Sequence, residues 1–486
     1  MNKLRIVGLV LLAALIALFA ARNFIASSPE QPPPPPRAVF DGSQPLRIET
    51  QGEQAPWMTR ELRNLLARSK LNLVSIATHP TGAQSFTLRI DVQPAKSLAG
   101  LALVAPDGVV ERSELLQLPQ DSQLAAMRRL AERLPSFLGA ANGSDWSKLL
   151  GTEDASAYAT FLNAGDAWFA EDATGFTAPS SPTHDRVSTL ERLERVTRRF
   201  RDFARARALL ALGYLSVGGE DADSLTRLAE TSAQRALTAD PELADAHAAL
   251  GIVYARKMDW ATAQEHLQAA LALDANNVAA LEALGCLLLD VGRVDAALAH
   301  AHRAATLQPG NRGAHQCAAY ARIAMRTEGT GEELTADTAR IQAAVLLLEN
   351  DRFRADALLR EHKAVSDELI RAVIDASTDR SKVPDALKII TRSADDETID
   401  AHTEVLFGAA LRRPDFVFNR MLRQVKAGEA VPLRLLWLPQ TDFLRKHRRF
   451  REIVNATKLA AYWQKHGLPD VCSKEPTVYG CTLKRR

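Results

Sequence analysis

Histidine, cysteine and clustered arginine are the side chains of this sequence whose types and spacing could do specific chemistry. His266 and His300 are 34 residues apart, and His302 follows two positions later. Imidazoles bind a metal when they converge, but side chains at i and i+2 of a helix point apart, so His300 and His302 make a poor chelating pair. Four cysteines offer thiol or disulfide chemistry, and no two form a C-x-x-C pair, which argues against a zinc site. Cys286 and Cys317 fall in apolar helical stretches and read as small buried side chains. Cys472 and Cys481 bracket "SKEPTVYG", and in an oxidising compartment that spacing suits a short disulfide loop. The run Arg445-Lys446-His447-Arg448-Arg449 could meet phosphates, but Leu444, Phe450 and Ile453 interleave with it at helical spacing, and a solvated helix face is the better reading. Phosphate-loop, zinc-protease, nucleophile-elbow and dinucleotide signatures are missing. The sequence thus predicts no catalytic residues, no cofactor, no metal and no enzyme.

Composition excludes further classes. Sixty Lys and Arg against 58 Asp and Glu leave a net charge of +2, too little to draw in nucleic acid over the whole surface. A length of 486 residues, 47% of them apolar and 24% charged, fits a folded chain of about two to four domains. Aromatics are only 6%, which favours thin, closely packed helical layers rich in Ala and Leu.

The elements that must position any site begin at a targeting segment. Lys3 and Arg5 precede an uncharged run from Ile6 to Ala21, closed by Arg22. The run lies between a secretory h-region of about 7 to 15 residues and a spanning helix of about 20. No clean cleavage site follows at once, so residues 1–22 are expected to be an uncleaved anchor, with a removed signal as the alternative. The leading basic residues put the N-terminus in the cytoplasm, residues 6–22 in a bacterial inner membrane and the bulk in the periplasm. Residues 23–37 form a linker whose prolines, Pro32 to Pro36, favour a stiff polyproline spacer.

Residues 38–145 read as a small α+β domain. In "SFTLRIDVQ", Phe86, Leu88, Ile90 and Val92 face one side and Thr87, Arg89, Asp91 and Gln93 the other, as in a half-buried strand. Pro106-Asp107-Gly108 is a turn signal between two strand-like runs, and "LNLVSIA" from Leu71 is a further strand. Helices carry Leu62, Leu65 and Leu66 before the strands, and Leu124, Met127, Leu130 and Leu134 after them. This order resembles the TolB amino-terminal-like domain found in bacterial membrane regulators. The resemblance implies a sensory module, and a small ligand bound there, signalling to a separate effector, is the alternative functional reading.

Residues 146–345 read as a solenoid. Copies at 244–277 and 278–311 place Leu-Gly at positions 7 and 8 (Leu250-Gly251, Leu284-Gly285), Ala263 and Ala297 at position 20, and Pro309 at position 32. Leu212-Gly213 and Pro241 frame a third copy, 206–243, widened by "SVGGEDADS". Small residues belong where paired helices cross, and proline ends the second helix. The 34-residue period and these residues resemble the tetratricopeptide repeat. The expected fold is therefore mostly α: a tetratricopeptide-like solenoid after a single transmembrane helix and the α+β domain, with a helical region at 346–486.

The repeat resemblance implies a concave groove lined by first-helix positions 2, 5, 9, 12 and 13. Here these include Arg207, Tyr214, Ile252, Ala255, Arg256, Glu282, Cys286, Leu289 and Asp290. The Lys and Asn set of the carboxylate-clamp subtype is absent, so a protein or peptide segment is the expected occupant, unless another part of this chain fills the groove. The closing stretch, with Tyr462-Trp463 and Gly467-Leu468-Pro469-Asp470, resembles the ends of membrane regulators with winged-helix or cyclase heads. Only about five residues precede the anchor, so a DNA-binding head has no room there. The expected function is a membrane-anchored, non-catalytic interaction scaffold.

Overall fold

The computed structural model describes residues 40, 46–51, 61–62, 65–66, 85–93, 97–139, 148–169, 175–176, 184–217, 222–327, 334–473, 476–479 and 481. The expected anchor, the proline linker and the strand beginning at Leu71 lie outside these residues. Among the described residues no helix is long and apolar enough to cross a membrane.

Four strands form one sheet in sequence order: β1 (Leu46–Gln51), β2 (Phe86–Gln93), β3 (Leu98–Val104) and β4 (Val110–Gln117). β1 runs parallel to β2 and the other pairs are antiparallel. The alternation of β2 is realised in full: Phe86, Leu88, Ile90 and Val92 are buried while Arg89 and Gln93 are exposed. The β3–β4 turn needs its glycine, because Gly108 has φ +84° and donates 2.9 Å to the Ala105 carbonyl. Helix α1 (Gln123–Leu138) starts at Ser122, whose hydroxyl accepts from the Ala125 amide. It buries Met127, Leu130 and Leu134 completely and is tied to β4 by Arg112, which donates to the Phe137 carbonyl.

The helical region follows: α2 (Ala155–Phe169), α3 (His184–Arg199), α4 (Ala204–Ser216), α5 (Ala222–Ala239), α6 (Ala244–Arg256), α7 (Trp260–Leu273), α8 (Val278–Asp290), α9 (Val294–Leu307) and α10 (Arg312–Met325). The α6–α7 and α8–α9 hairpins repeat at the predicted period. Asn277 and Asn311, also 34 apart, cap α8 and α10 by accepting from the amides of Ala280 and Ala314, each at 2.9 Å. Small residues sit at the crossings: a Cβ on Gly251 would lie 2.5 Å from Leu267, and one on Gly285 would lie 2.8 Å from the Ala301 nitrogen. Ala263 and Ala297 are fully buried, and Pro241 and Pro309 follow the ends of α5 and α9.

Gly213 departs from that pattern. A Cβ there would meet Trp168 of α2 at 2.6 Å and Leu190 of α3 at 2.8 Å, not the second helix of its own pair. α4 instead packs Ala204 and Ala208 with Ala236 of α5 and Ala246 of α6. The Leu-Gly pair thus recurs in the third copy, while its glycine lies against α2 and α3.

Beyond α10 the chain continues as α11 (Ala336–Leu348), α12 (Arg352–Glu361), α13 (Asp367–Thr378), α14 (Val383–Asp395), α15 (Ala401–Ala410) and α16 (Pro414–Ala427). A 3-10 segment, Leu433–Trp437, and short helices α17 (Asp442–Arg445), α18 (Phe450–Ala456) and α19 (Leu459–His466) then fold back onto the repeats. Trp260 of α7 donates 2.7 Å to the Thr457 carbonyl, and Trp463 donates 2.8 Å to the Val291 carbonyl. The basic run is not one solvated face. Arg445 is buried and donates to the carbonyls of Leu436 and Leu438, while Lys446 and Arg448 are the exposed members.

Cys286 and Cys317 correct the reading of two lone buried thiols, for they form a disulfide with Cα atoms 5.4 Å apart. The first helices of successive repeats, α8 and α10, lie side by side, which brings these positions together across 31 residues of sequence. Cys472 and Cys481 form a second disulfide, as their spacing suggested.

Candidate functional site

The nine residues expected to line an open groove separate into two sets, and seven of them lie where other parts of this chain cover the repeats. Ile252, Glu282, Cys286 and Leu289 are buried, with Ala255, Arg256 and Asp290 half-buried beside them. Cys286 is spent on the disulfide and offers no free thiol. This part of the expected groove is occupied by the chain itself, the alternative that the sequence left open.

Gly175 and Phe176 form the first cover. The Phe176 amide donates 3.0 Å to each carboxylate oxygen of Glu282, and Asn311 donates 2.9 Å to the same carboxylate. Arg256 closes the other side by donating to the carbonyls of Phe176 (3.4 Å) and Leu215 (2.6 Å). Burial pushes the Arg256 guanidinium down to about 10, with the Glu282 carboxylate opposing that shift. Gly175 is the residue that permits the approach: it has φ +86°, and a Cβ would fall 2.4 Å from Asn311 Oδ1 and 2.8 Å from Glu282 Oε2. Glu282 and Arg256 thus grip a peptide bond as they would grip a foreign chain, and that peptide belongs to the protein.

The 3-10 segment is the second cover. Arg434 holds the half-buried Asp290 carboxylate through two bonds of 3.0 and 3.2 Å and also donates to Cys317 Sγ. Burial raises the Asp290 pKa and Arg434 counters it. Trp437 donates 3.1 Å to the Asp290 carbonyl and packs edge-on against Trp463 at 5.9 Å. The motif around Pro469-Asp470 completes the seam, with Asp470 accepting from the Asp295 amide and pairing with Arg293 at 3.3 Å.

Arg207 and Tyr214 belong to the second set. They line a cleft with α3 and α5 that none of the other seven residues lines, Tyr214 buried and Arg207 half-buried.

Sequence reasoning missed a buried ion pair between the α+β region and α4. Arg205 reaches both carboxylate oxygens of the fully buried Glu61, at 2.8 and 2.9 Å, and Tyr158 donates to Glu61 at 2.9 Å. Burial and the Glu61 carboxylate hold the Tyr158 hydroxyl protonated, well above the ordinary tyrosine range. Its signal in the sequence was Arg205, one of two arginines at the start of the small and apolar stretch "ARARALLALGYL". His266 meets His247, with the two Nδ1 atoms 3.1 Å apart, rather than His300. Among the described residues no cluster of three or more potential metal ligands forms.

No known family profile matches the chain. Over 98 residues, 20% of its length, it is 39% identical to the type IV pilus assembly protein PilF of Pseudomonas aeruginosa. The matched stretch is 36% of that protein, so the chain spans little more than a third of its relative. The mostly helical, 34-residue-repeat architecture and this similarity together fit a tetratricopeptide-type protein.

Proposed function

We propose that this chain is a non-catalytic protein-interaction scaffold, held at the bacterial inner membrane by residues 6–22 with its bulk in the periplasm. The observation that carries the reading is the run of helical hairpins with 34-residue spacing. Stacked hairpins of this kind build an extended surface of fixed shape, which suits the display of side chains to another chain. Two disulfides between otherwise unremarkable cysteines favour an oxidising compartment. The similarity to a pilus assembly protein favours a partner within an envelope-associated assembly. Crosslinking in native membranes, followed by identification of attached chains, tests the scaffold; a wild-type protein that attaches to no defined partner overturns it. A reporter fused after Arg486 tests the topology, and activity restricted to a cytoplasm-competent reporter overturns the periplasmic placement.

A further inference from the structure

We infer that the partner docks in the cleft between α3, α4 and α5, and that its docking segment is acidic and partly apolar. The inference rests on the scaffold reading and names the surface and the chemistry. The cleft encloses about 950 Å³ and stands open among the described residues, whereas the groove over α6 and α8 is filled by Phe176 and the 434–437 segment. Beside it, Gly213 of α4 lies close against Leu190 of α3 and Trp168 of α2.

Four guanidinium groups face this space, those of Arg198, Arg201, Arg207 and Arg235. Glu194 is the carboxylate that lines it, and its charge is already engaged by Arg198 at 3.0 Å and by the Tyr214 hydroxyl at 2.7 Å. Arg207 spends its donors on the carbonyls of Arg201 and Thr197, so those bonds fix its position without neutralising it. Its pKa is lowered by burial and then by Arg235 and Arg201, with Asp202 opposing, which reports a local excess of positive charge. A chain with a net charge of only +2 therefore concentrates cations in one concavity.

The cleft also has an apolar part among its hydroxyl residues: buried Leu210 and Tyr214 line it from α4, and Leu228 of α5 stands 45% exposed at its side. A phosphate backbone would satisfy the arginines and leave Leu228 facing water. An amphipathic segment with carboxylates on one side and aliphatic side chains on the other satisfies both, so a protein segment is the better complement.

The test uses a fluorescein-labelled synthetic helix of Glu and Leu at helical spacing, titrated by anisotropy against the full chain. Arg201, Arg235 and Leu228 are exposed, so substitutions there leave folding intact, which melting and circular dichroism verify. Arg201→Glu with Arg235→Glu is expected to weaken binding about tenfold or more at low salt, and the difference shrinks as salt screens the charges. Leu228→Ser weakens it as well, and a Lys-for-Glu peptide does not bind. Equal affinity for wild type and the double variant overturns the assignment. So does a Leu-free polyglutamate or duplex DNA that binds as tightly as the amphipathic peptide, since the cleft would then be a polyanion surface. The membrane crosslink separates the two levels: if the wild type and the double variant both capture the same partner, the scaffold stands and the cleft falls. If the wild type captures none, the scaffold itself falls.

Discussion

Replacing Cys286 and Cys317 together by alanine should produce one of the largest stability losses available in this protein without touching its surface. The bond closes a loop of 31 residues. In the chain-entropy treatment, a loop of that size removes about 12 cal/mol/K from the unfolded ensemble, or about 3.7 kcal/mol at room temperature. Both side chains are buried, so losing the sulfur atoms adds to the cost. Native stabilities of about 5–15 kcal/mol make this a large fraction of the total. For a cooperative unit of about 150–250 residues, each kcal/mol moves Tm by about 2–4 °C, so a drop of about 7–15 °C is expected. Calorimetry of oxidised wild type and variant measures it directly. Cys472→Ala with Cys481→Ala is the internal control, because a separation of 9 residues gives only about 2.6 kcal/mol by the same relation. The reasoning is refuted if alkylation of the denatured, unreduced protein finds four free thiols. It is equally refuted if the 286/317 variant melts with the wild type.

Three further outcomes follow from particular contacts. Arg205→Met strands the Glu61 carboxylate in a buried site and should cost about 3–5 kcal/mol in urea melts, with much of the loss recovered when Glu61→Gln is added. Gly285→Leu should destabilise by about 1–3 kcal/mol or more, because its side chain would be driven into the Ala301 backbone, whereas His300→Ala should change melting little; similar melting for both would contradict the repeat register. His402 contributes to acid sensitivity: burial pushes its imidazole down to about 4, Asp400 opposes, and Arg434 and Arg340 push the same way. The unfolded chain binds this proton near pH 6.5, so stability should fall as pH drops from about 6.5 toward 4. His402→Gln should flatten that slope in pH-dependent melts, and an unchanged slope would remove His402 as its source.

Much of the architecture was legible because it depends on neighbours in sequence. The β2 alternation, the Pro106-Asp107-Gly108 turn and the 34-residue period with Gly251 and Gly285 are local or periodic signals. Each was read from residue type and spacing alone. The spacing of Cys472 and Cys481 belongs to the same class, since a short stretch with Pro and Gly between two cysteines can turn back and bring them together.

What only the tertiary structure decided involves partners far apart along the chain. Glu61 finds Arg205 across 144 residues, Phe176 finds Glu282 across 106, and Arg434 finds Asp290 across 144. No periodicity marks such pairs, because long-range contacts depend on where the chain folds back rather than on local residue order. Gly213 makes the same point within one repeat. Its motif matched the other copies, yet its close contacts are with Trp168 of α2 and Leu190 of α3, far from it in sequence. Residue types thus determined that this chain would stack hairpins and what its surfaces would be made of. Packing across the longest sequence separations determined which of those surfaces stayed open.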